Sequence, residues 1–179
     1  GQSLSNTLKK CTSLKNGAKI LVHKVIKPQL FGVAKIDVKT KKIKQLKEKP
    51  KTFLSDHAIT GLYFFDNNVV KFAKTLKPSK RKELEIIDLL NKYKRKKKLT
   101  AEYLGRGGAW LDTGSISDYY KTSNFVQAVQ NRQGVKIACL EEIAFLNKWI
   151  GKSHLKNQIK FYGNCDYSNY LKSVIKKSV

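Results

Sequence analysis

An almost unbroken apolar run at residues 58–65, AITGLYFF, constrains the fold more than any other segment. A strand that is apolar on both sides is expected to be buried on both faces, as happens in sheets covered by helices. Two further β-rich segments, 18–25 and 31–37, precede it. Residues 42–48 alternate polar and apolar residues like a return strand, so 38–41 is the predicted turn of a hairpin. These segments predict a sheet as the core of the first part of the chain.

Helical periodicity accounts for most of the remaining chain. Asp66 or Asn67 is the expected N-cap of one helix and Ser115 or Ser117 that of another, because short polar side chains cap helix N-termini. Towards the C-terminus the only candidate strand is 135–137. Helices are predicted at 4–11, 67–73, 82–90, 115–133, 141–149 and 167–177, and a short strand at 99–104. The chain is therefore expected to be α/β at first and mostly helical at the end.

The chain is strongly basic, with 37 Lys and Arg against 13 Asp and Glu and a formal net charge of +24. Such a balance suits a module that binds polyanions. It also suits a lysine-rich solvated surface, which we favour because base and bidentate phosphate recognition rely on arginine. Only four arginines are present: Arg81, Arg95, Arg106 and Arg132.

The cysteines Cys11, Cys139 and Cys165 are three, widely spaced, and form no C-x-x-C pair. A disulfide framework or zinc knuckle is therefore not expected, and the reduced cytoplasm is the simplest location. No apolar stretch approaches the length of a membrane span, so no membrane association is expected. The 179 residues contain no Met, which favours a processed chain, a tagged chain or a fragment.

Asp112 is the first candidate functional residue. It follows a strand-like run in residues 110–114, WLDTG, and open α/β sheets place ligands at strand ends. Mg²⁺ takes one or two protein carboxylates together with substrate phosphates, so Asp112 is a candidate metal ligand. The local alternative is that Asp112 only caps the following helix. The preceding glycines at 105–108 suit a phosphate loop less well than a tight turn.

Two further candidates are charged residues near predicted element ends. Glu48 and Lys49 precede Pro50, and a bend there would let both side chains reach one cleft. Glu would accept hydrogen bonds from sugar hydroxyls and Lys would meet a phosphate. Arg81 stands just ahead of a predicted helix N-terminus, where an anion is favoured. The alternatives are an exposed strand end for the first pair and a helix-capping arrangement for Arg81.

These pieces occur together in an order that resembles the C-terminal part of bacterial glucose-1-phosphate thymidylyltransferases, a family of sugar nucleotidyltransferases. The resemblance covers nearly the whole chain. The matching motifs are FGV (31–33), EKP (48–50), ITGLYFFD (59–66), LKPS (76–79), Arg81, ELEI (83–86), Asp88, GRG (105–107), AWLDTG (109–114), SNF (123–125), RQG (132–134), EEIAF (141–145) and YLK (170–172).

The resemblance implies a fold and a role for particular residues. The implied fold is a Rossmann-like mixed sheet flanked by helices, incomplete at its N-terminus, with a helical C-terminal part. It would form one partial domain over 1–179, with a sugar-binding half at 1–114 and a helical region at 115–179. Glucose hydroxyls would be bound by Glu48 and the Gly32 backbone. The implied catalytic residues are Lys49 and Arg81, on the sugar phosphate, and Asp112, on Mg²⁺; Ile59 (through its backbone), Tyr63 and Trp110 would line the sugar pocket.

The implied reaction is attack by glucose-1-phosphate on the α-phosphorus of dTTP, giving dTDP-glucose and pyrophosphate, in a cytoplasmic homotetramer without specific nucleic-acid binding. The family's nucleotide-binding loop and first metal-binding Asp have no counterpart here, so the isolated chain is expected to be inactive.

Three positions depart from the family pattern. Phe31 stands in place of Tyr, Gly108 replaces a larger residue, and Leu146 stands where an Arg serves a regulatory nucleotide site. A non-catalytic module that binds polyanions remains the alternative.

Overall fold

The computed structural model describes residues 2–105 and 107–177, with Gln2 and Ser3 described by their backbone alone. It contains two compact units, one ending at Trp110 and the other beginning at Leu111. The expectation of one domain over 1–179, with its two parts meeting at 114 and 115, stays a prediction.

The first unit contains a five-stranded sheet in the order β3-β2-β4-β1-β5. Its strands are β1 (Ala18–Lys24), β2 (Gly32–Ile36), β3 (Ile43–Glu48), β4 (His57–Phe65) and β5 (Leu99–Tyr103). The β1 and β5 strands are parallel and the other pairs are antiparallel. The predicted strands are thus confirmed, and so is the predicted turn between β2 and β3, where the Lys41 N–H donates to the Asp37 carbonyl oxygen.

The described residues of this unit form three α-helices, α1 (Gln2–Thr12), α2 (Asn68–Ala73) and α3 (Ile86–Arg95). A short 3-10 helix (Pro28–Leu30) lies between β1 and β2. The α3 helix packs against β3 and β5, and α1 packs against β5. Alternate residues of β1 reach the core beneath α3, where Ile20, Leu90 and Tyr93 are fully buried. The expected mixed sheet flanked by helices is confirmed.

Asp66 links three of these elements through its carboxylate. Its Oδ2 atom accepts the Gly17 N–H at 2.7 Å, just before β1. Its Oδ1 atom accepts the Asn68 N–H at 3.0 Å and the hydroxyl of the buried Tyr93 at 2.8 Å. Asn67 occupies the N-cap position of α2 without a side-chain cap, so Asp66 performs that role. Burial alone would raise the pKa of Asp66. The hydrogen bonds that its carboxylate accepts lower the pKa by more, so the net value lies below the usual range.

Two sequence-based expectations for this unit are wrong in part. The β4 strand is buried at Ala58 and Ile59, but Leu62 is 44% exposed. The described pairing of β2 with β4 is limited to Val33 and Ala58, so β2 does not extend along the later residues of β4. The predicted helix at 82–90 begins only at Ile86, because residues 79–85 form a turn with Lys82 at a positive φ of 60°.

The second unit contains helices and no strand among its described residues. Its helices are α4 (Ile116–Gln133), α5 (Leu140–Leu146), α6 (Lys152–Tyr162) and α7 (Asp166–Lys177). The helical C-terminal part is confirmed, but 135–137 is not a strand, α5 ends before residue 149, and α6 was not predicted. The small core consists of Cys139, Leu155 and Leu171.

Neighbouring glutamates of α5 are bound by tyrosines of the next two helices. Glu141 accepts hydrogen bonds from Tyr162, at 2.8 Å, and from Tyr167. Glu142 accepts one from Tyr170 at 2.7 Å. Burial raises the pKa of Glu141, but the hydrogen bonds from Tyr167 and Tyr162 lower it more, so the pKa lies below its ordinary range.

All three cysteines are free thiols. Among the described helices, none combines the length and the hydropathy needed to cross a membrane.

Candidate functional site

A cavity of about 460 Å³ opens in the first unit beside the end of β3 and the start of α3. It contains three of the predicted site residues, Glu48, Lys49 and Arg81, which come from two separate segments of the sequence. The remaining lining residues are Ser79, Lys80, Glu85, Ile87 and Asp88.

Glu48 and Lys49 reach the cavity together because the chain bends where β3 ends. Glu48 pairs with Gly32 across β2 and β3, and a Cβ atom on Gly32 would lie 2.8 Å from its Oε2 atom. Lys49 has a positive φ of 39°, and its N–H donates to the Phe31 carbonyl oxygen at 3.0 Å. The predicted bend before Pro50 is thus observed, and both side chains line one cleft.

Arg81 lies in the turn before α3 rather than at the helix start. Its Nη2 atom is 2.8 Å from Oε2 of Glu85, and its backbone N–H donates to the Ser79 hydroxyl at 3.1 Å. The hydrogen bond and charge of Glu85 raise the pKa of Arg81. The hydrogen bonds from Ser79 and Arg81 lower the pKa of Glu85.

The predicted pocket residues Ile59, Tyr63 and Trp110 belong to the same unit but do not line this cavity; Ile59 and Tyr63 lie on β4. The Trp110 indole N–H donates to the carbonyl oxygen of Thr60 at 3.2 Å, one residue after Ile59. The centroid of the Trp110 ring lies 5.0 Å from that of the Phe31 ring, in an edge-to-face arrangement. Phe31 is the residue before Gly32. Burial and, to a smaller extent, the charge of Glu48 raise the pKa of Tyr63.

Asp112 lies in the second unit and is exposed. The alternative that it caps α4 is wrong, because Ser115 is the N-cap and accepts the Asp118 N–H at 3.1 Å. Asp112 makes no hydrogen bond or ion pair with the described residues. Among these residues, no group of three His, Cys, Asp or Glu side chains converges into a metal-binding cluster.

The glycine-rich segment is described except for Arg106, so the predicted motif at 105–107 lies partly outside the described residues. The Gly108 N–H donates to the Gly105 carbonyl oxygen at 2.8 Å, as in a tight turn. A Cβ atom on Gly108 would lie 2.7 Å from Cγ of Leu104. The space for a larger side chain here is therefore already filled.

Sequence reasoning missed Ser79 and Glu85 as members of the cavity. Glu85 follows Arg81 by four residues, a spacing that suggests an ion pair, but the segment read as the first turn of a helix. The cavity thus combines three cations (Lys49, Lys80 and Arg81) with three carboxylates (Glu48, Glu85 and Asp88). Such a mixed lining suits a ligand that carries both hydroxyl groups and an anionic group.

The fold and the cavity define an α/β protein with a charged cavity beside the end of a sheet strand. The chain belongs to the nucleotidyl transferase family, whose model matches residues 1–129. It is 43% identical to the glucose-1-phosphate thymidylyltransferase of Neisseria meningitidis over 99% of this chain and 61% of that protein. The Mycobacterium tuberculosis enzyme of the same name is 35% identical, again over 99% and 61%. The chain thus spans about three fifths of the length of these relatives.

Solved structures agree with the family assignment. A Bacillus anthracis protein described as a glucose-1-phosphate thymidylyltransferase, in complex with sucrose, matches with a TM-score of 0.59 and 37% identity over 68% of this chain and 48% of that one. A UDP-glucose pyrophosphorylase complexed with UDP-glucose has a TM-score of 0.56 at 24% identity, over 69% and 47%, and supports the fold alone. These relatives give no support to the polyanion-binding alternative.

Proposed function

We propose that this chain carries the sugar-binding part of a glucose-1-phosphate thymidylyltransferase. The observation that carries the proposal is the convergence of Glu48, Lys49 and Arg81 on one cavity. The similarity to relatives of that name supports the same substrate. The reaction joins a glucose-1-phosphate phosphate oxygen to the α-phosphorus of dTTP, and the bond to pyrophosphate breaks.

Each predicted residue has a chemical task in this proposal. Glu48 accepts hydrogen bonds from glucose hydroxyls beside the Gly32 backbone, and Lys49 and Arg81 hold the sugar phosphate. The wall of the sugar pocket consists of Tyr63, Trp110 and the Ile59 backbone. The fixed contact of Trp110 with Thr60 supports a rigid wall.

Catalysis by these residues is positioning and charge neutralisation. The attacking phosphate oxygen is already anionic, so the chain needs no general base to remove a proton. Lys49 and Arg81 orient that oxygen and offset the repulsion between two phosphate groups.

Asp112 is the proposed ligand for Mg²⁺. Its carboxylate is exposed and engaged with no described residue, which fits a group available to a cation. One carboxylate is a weak site alone, but Mg²⁺ combines one or two carboxylates with substrate phosphates. When bound, the ion would neutralise charge on the triphosphate. The cytoplasmic location, the homotetramer and the absence of specific nucleic-acid binding stay predictions.

Calorimetric titration of the chain with α-glucose-1-phosphate tests the proposal. We expect saturable binding that falls by about tenfold or more in Lys49→Ala and Arg81→Ala, because each loses a charge-assisted contact. Lys51→Ala is the matched control, since Lys51 is an exposed lysine outside this cavity. Equal affinity for glucose and glucose-1-phosphate would contradict the proposal. So would tight nucleic-acid binding that weakens steeply with salt.

A further inference from the structure

The guanidinium of Arg81 is held along one edge by Glu85. Its Nε atom donates to Oε1 at 3.0 Å, and its Nη2 atom donates to Oε1 and Oε2 at 2.8 Å each. A guanidinium has five N–H groups in a fixed planar fork. The Nε and Nη2 edge is therefore occupied, whereas Nη1 has no hydrogen-bond partner among the described residues.

Glu85 is itself fixed by Ser79. The Ser79 hydroxyl donates to Oε1 of Glu85 at 2.8 Å and accepts the Arg81 backbone N–H at 3.1 Å. Ser79, Arg81 and Glu85 thus form a closed ring of hydrogen bonds, and all three line the cavity. The Glu85 side chain is 20% exposed and that of Arg81 54%, so the carboxylate is the better shielded member of the pair.

A helix-capping role does not account for Glu85. It occupies the N-cap position of α3 with an extended backbone, but its side chain makes no cap hydrogen bond. A carboxylate at this position ordinarily accepts N–H groups of the first turn. Here the carboxylate is committed to Arg81 instead.

We propose that Glu85 is a positioning residue that fixes Arg81 edge-on and leaves only its Nη1 side for the phosphate of the sugar ligand. This inference rests on the proposed function, in which Arg81 holds that phosphate. Glu85 also neutralises Arg81, so Lys49 and Lys80 supply the cavity's unpaired positive charge. Arg81 then orients the phosphate and selects for a sugar phosphate, whereas the general attraction for anions comes mainly from the two lysines.

The Glu85→Gln variant of the full chain separates the orientation of the phosphate by Arg81 from the general attraction of anions to the cavity. It removes a negative charge and part of the clamp, so we expect affinity for inorganic phosphate to be kept or increased. The preference for glucose-1-phosphate over inorganic phosphate should fall by about tenfold, the scale of one charge-assisted hydrogen bond. Glu83→Gln is the matched control, because Glu83 lies 4.0 Å from Arg81 Nε and is 67% exposed.

Arginine side-chain NMR gives a readout that a merely structural role would not move. The chain has four arginines, so Arg81→Lys assigns the Arg81 Nε–H resonance. We expect this resonance to stay at its hydrogen-bonded position when glucose-1-phosphate is added, whereas the Nη1 resonance shifts. In Glu85→Gln the Nε–H resonance should move even without ligand.

Three results would overturn the inference. One is a ligand-induced shift of Nε as large as that of Nη1, which would mean that the phosphate displaces Glu85. Another is an equal loss of affinity for both anions in Glu85→Gln. The third is an unchanged Nε–H resonance in ligand-free Glu85→Gln. Failure of the unchanged chain to bind glucose-1-phosphate would instead overturn the proposed function and with it the ligand half of this inference; the ligand-free resonance still tests the clamp.

Discussion

The side chain of Glu48 occupies the space in front of Gly32. These residues are register partners in β2 and β3, and a Cβ atom on Gly32 would lie 2.8 Å from the Glu48 Oε2 atom. Gly32 has no positive φ among the backbone angles of the described glycines. Glycine is therefore favoured at position 32 because a larger residue would collide with the Glu48 carboxylate, and not because the backbone conformation requires glycine.

Gly32→Ala is expected to push the Glu48 carboxylate out of its position without disrupting the strand. Affinity for glucose-1-phosphate should fall by about tenfold, because one hydrogen-bonding carboxylate is misplaced. Thermal stability should change little. Calorimetry and thermal melting measure the two effects. Gly107→Ala is the matched control, since a Cβ atom there meets nothing within 4 Å; equal affinities for the two variants would contradict the prediction.

Asp112→Asn is expected to remove activity without affecting stability. The measurement needs a competent enzyme, such as a chimera of this chain with the upstream part of the meningococcal relative. Turnover should fall by about two decades or more, the scale of one lost electrostatic element. Because Ser115 caps α4, the melting temperature should stay the same even in Asp112→Ala.

Ser115→Ala is the counterpart of that experiment. It should cost about 1 kcal/mol of stability through the lost cap while turnover persists. Near-normal turnover of Asp112→Asn would reject the metal role.

The second unit is expected to lose stability in acid through Glu141. Its pKa is lower in the folded state than in the unfolded chain. The stabilisation is therefore complete above about pH 4.3, the ordinary glutamate value, and is lost as the pH falls through the lowered pKa. The difference in melting temperature between the wild type and Glu141→Gln should shrink from pH 6 to pH 3; a constant difference would contradict this assignment.

Tyr93→Phe is expected to destabilise the first unit by about 1–2 kcal/mol, because a buried hydroxyl that donates to Asp66 is lost. Tyr103→Phe should change the unfolding free energy little, since the Tyr103 hydroxyl has no described hydrogen-bond partner. Urea unfolding of both variants measures the difference. Equal effects would show that the Asp66 contact contributes nothing specific.

Periodicity predicted the strands well because their alternation and length reflect local chemistry. Ala58 and Ile59 are buried as expected, but Leu62 is exposed, because the burial of a strand residue is decided by tertiary packing that the local pattern does not contain. Similarly, the helical spacing at 82–90 was real, but the Ser79 N–H bond to the Glu83 carbonyl oxygen replaces its first turn.

Only those residues of the candidate site that belong to a distinctive sequence motif could be predicted. Glu48 and Lys49 were found because Pro50 signals a bend, and the cavity contains both. Glu85 was missed because an acid near a helix start ordinarily interacts with the helix. Its commitment to Arg81 follows from a turn with Lys82 at positive φ, which no local preference for lysine predicts.

Asp66 also connects two segments of the first unit that lie far apart in the sequence. Its partners Gly17 and Tyr93 lie 49 residues before and 27 residues after it. Fraying of the start of β1 would therefore remove a partner from the same carboxylate that accepts the Tyr93 hydroxyl in the middle of α3. We expect amide protons near Gly17 and Tyr93 to become less protected together when this carboxylate is removed, because local openings expose the groups that share a contact.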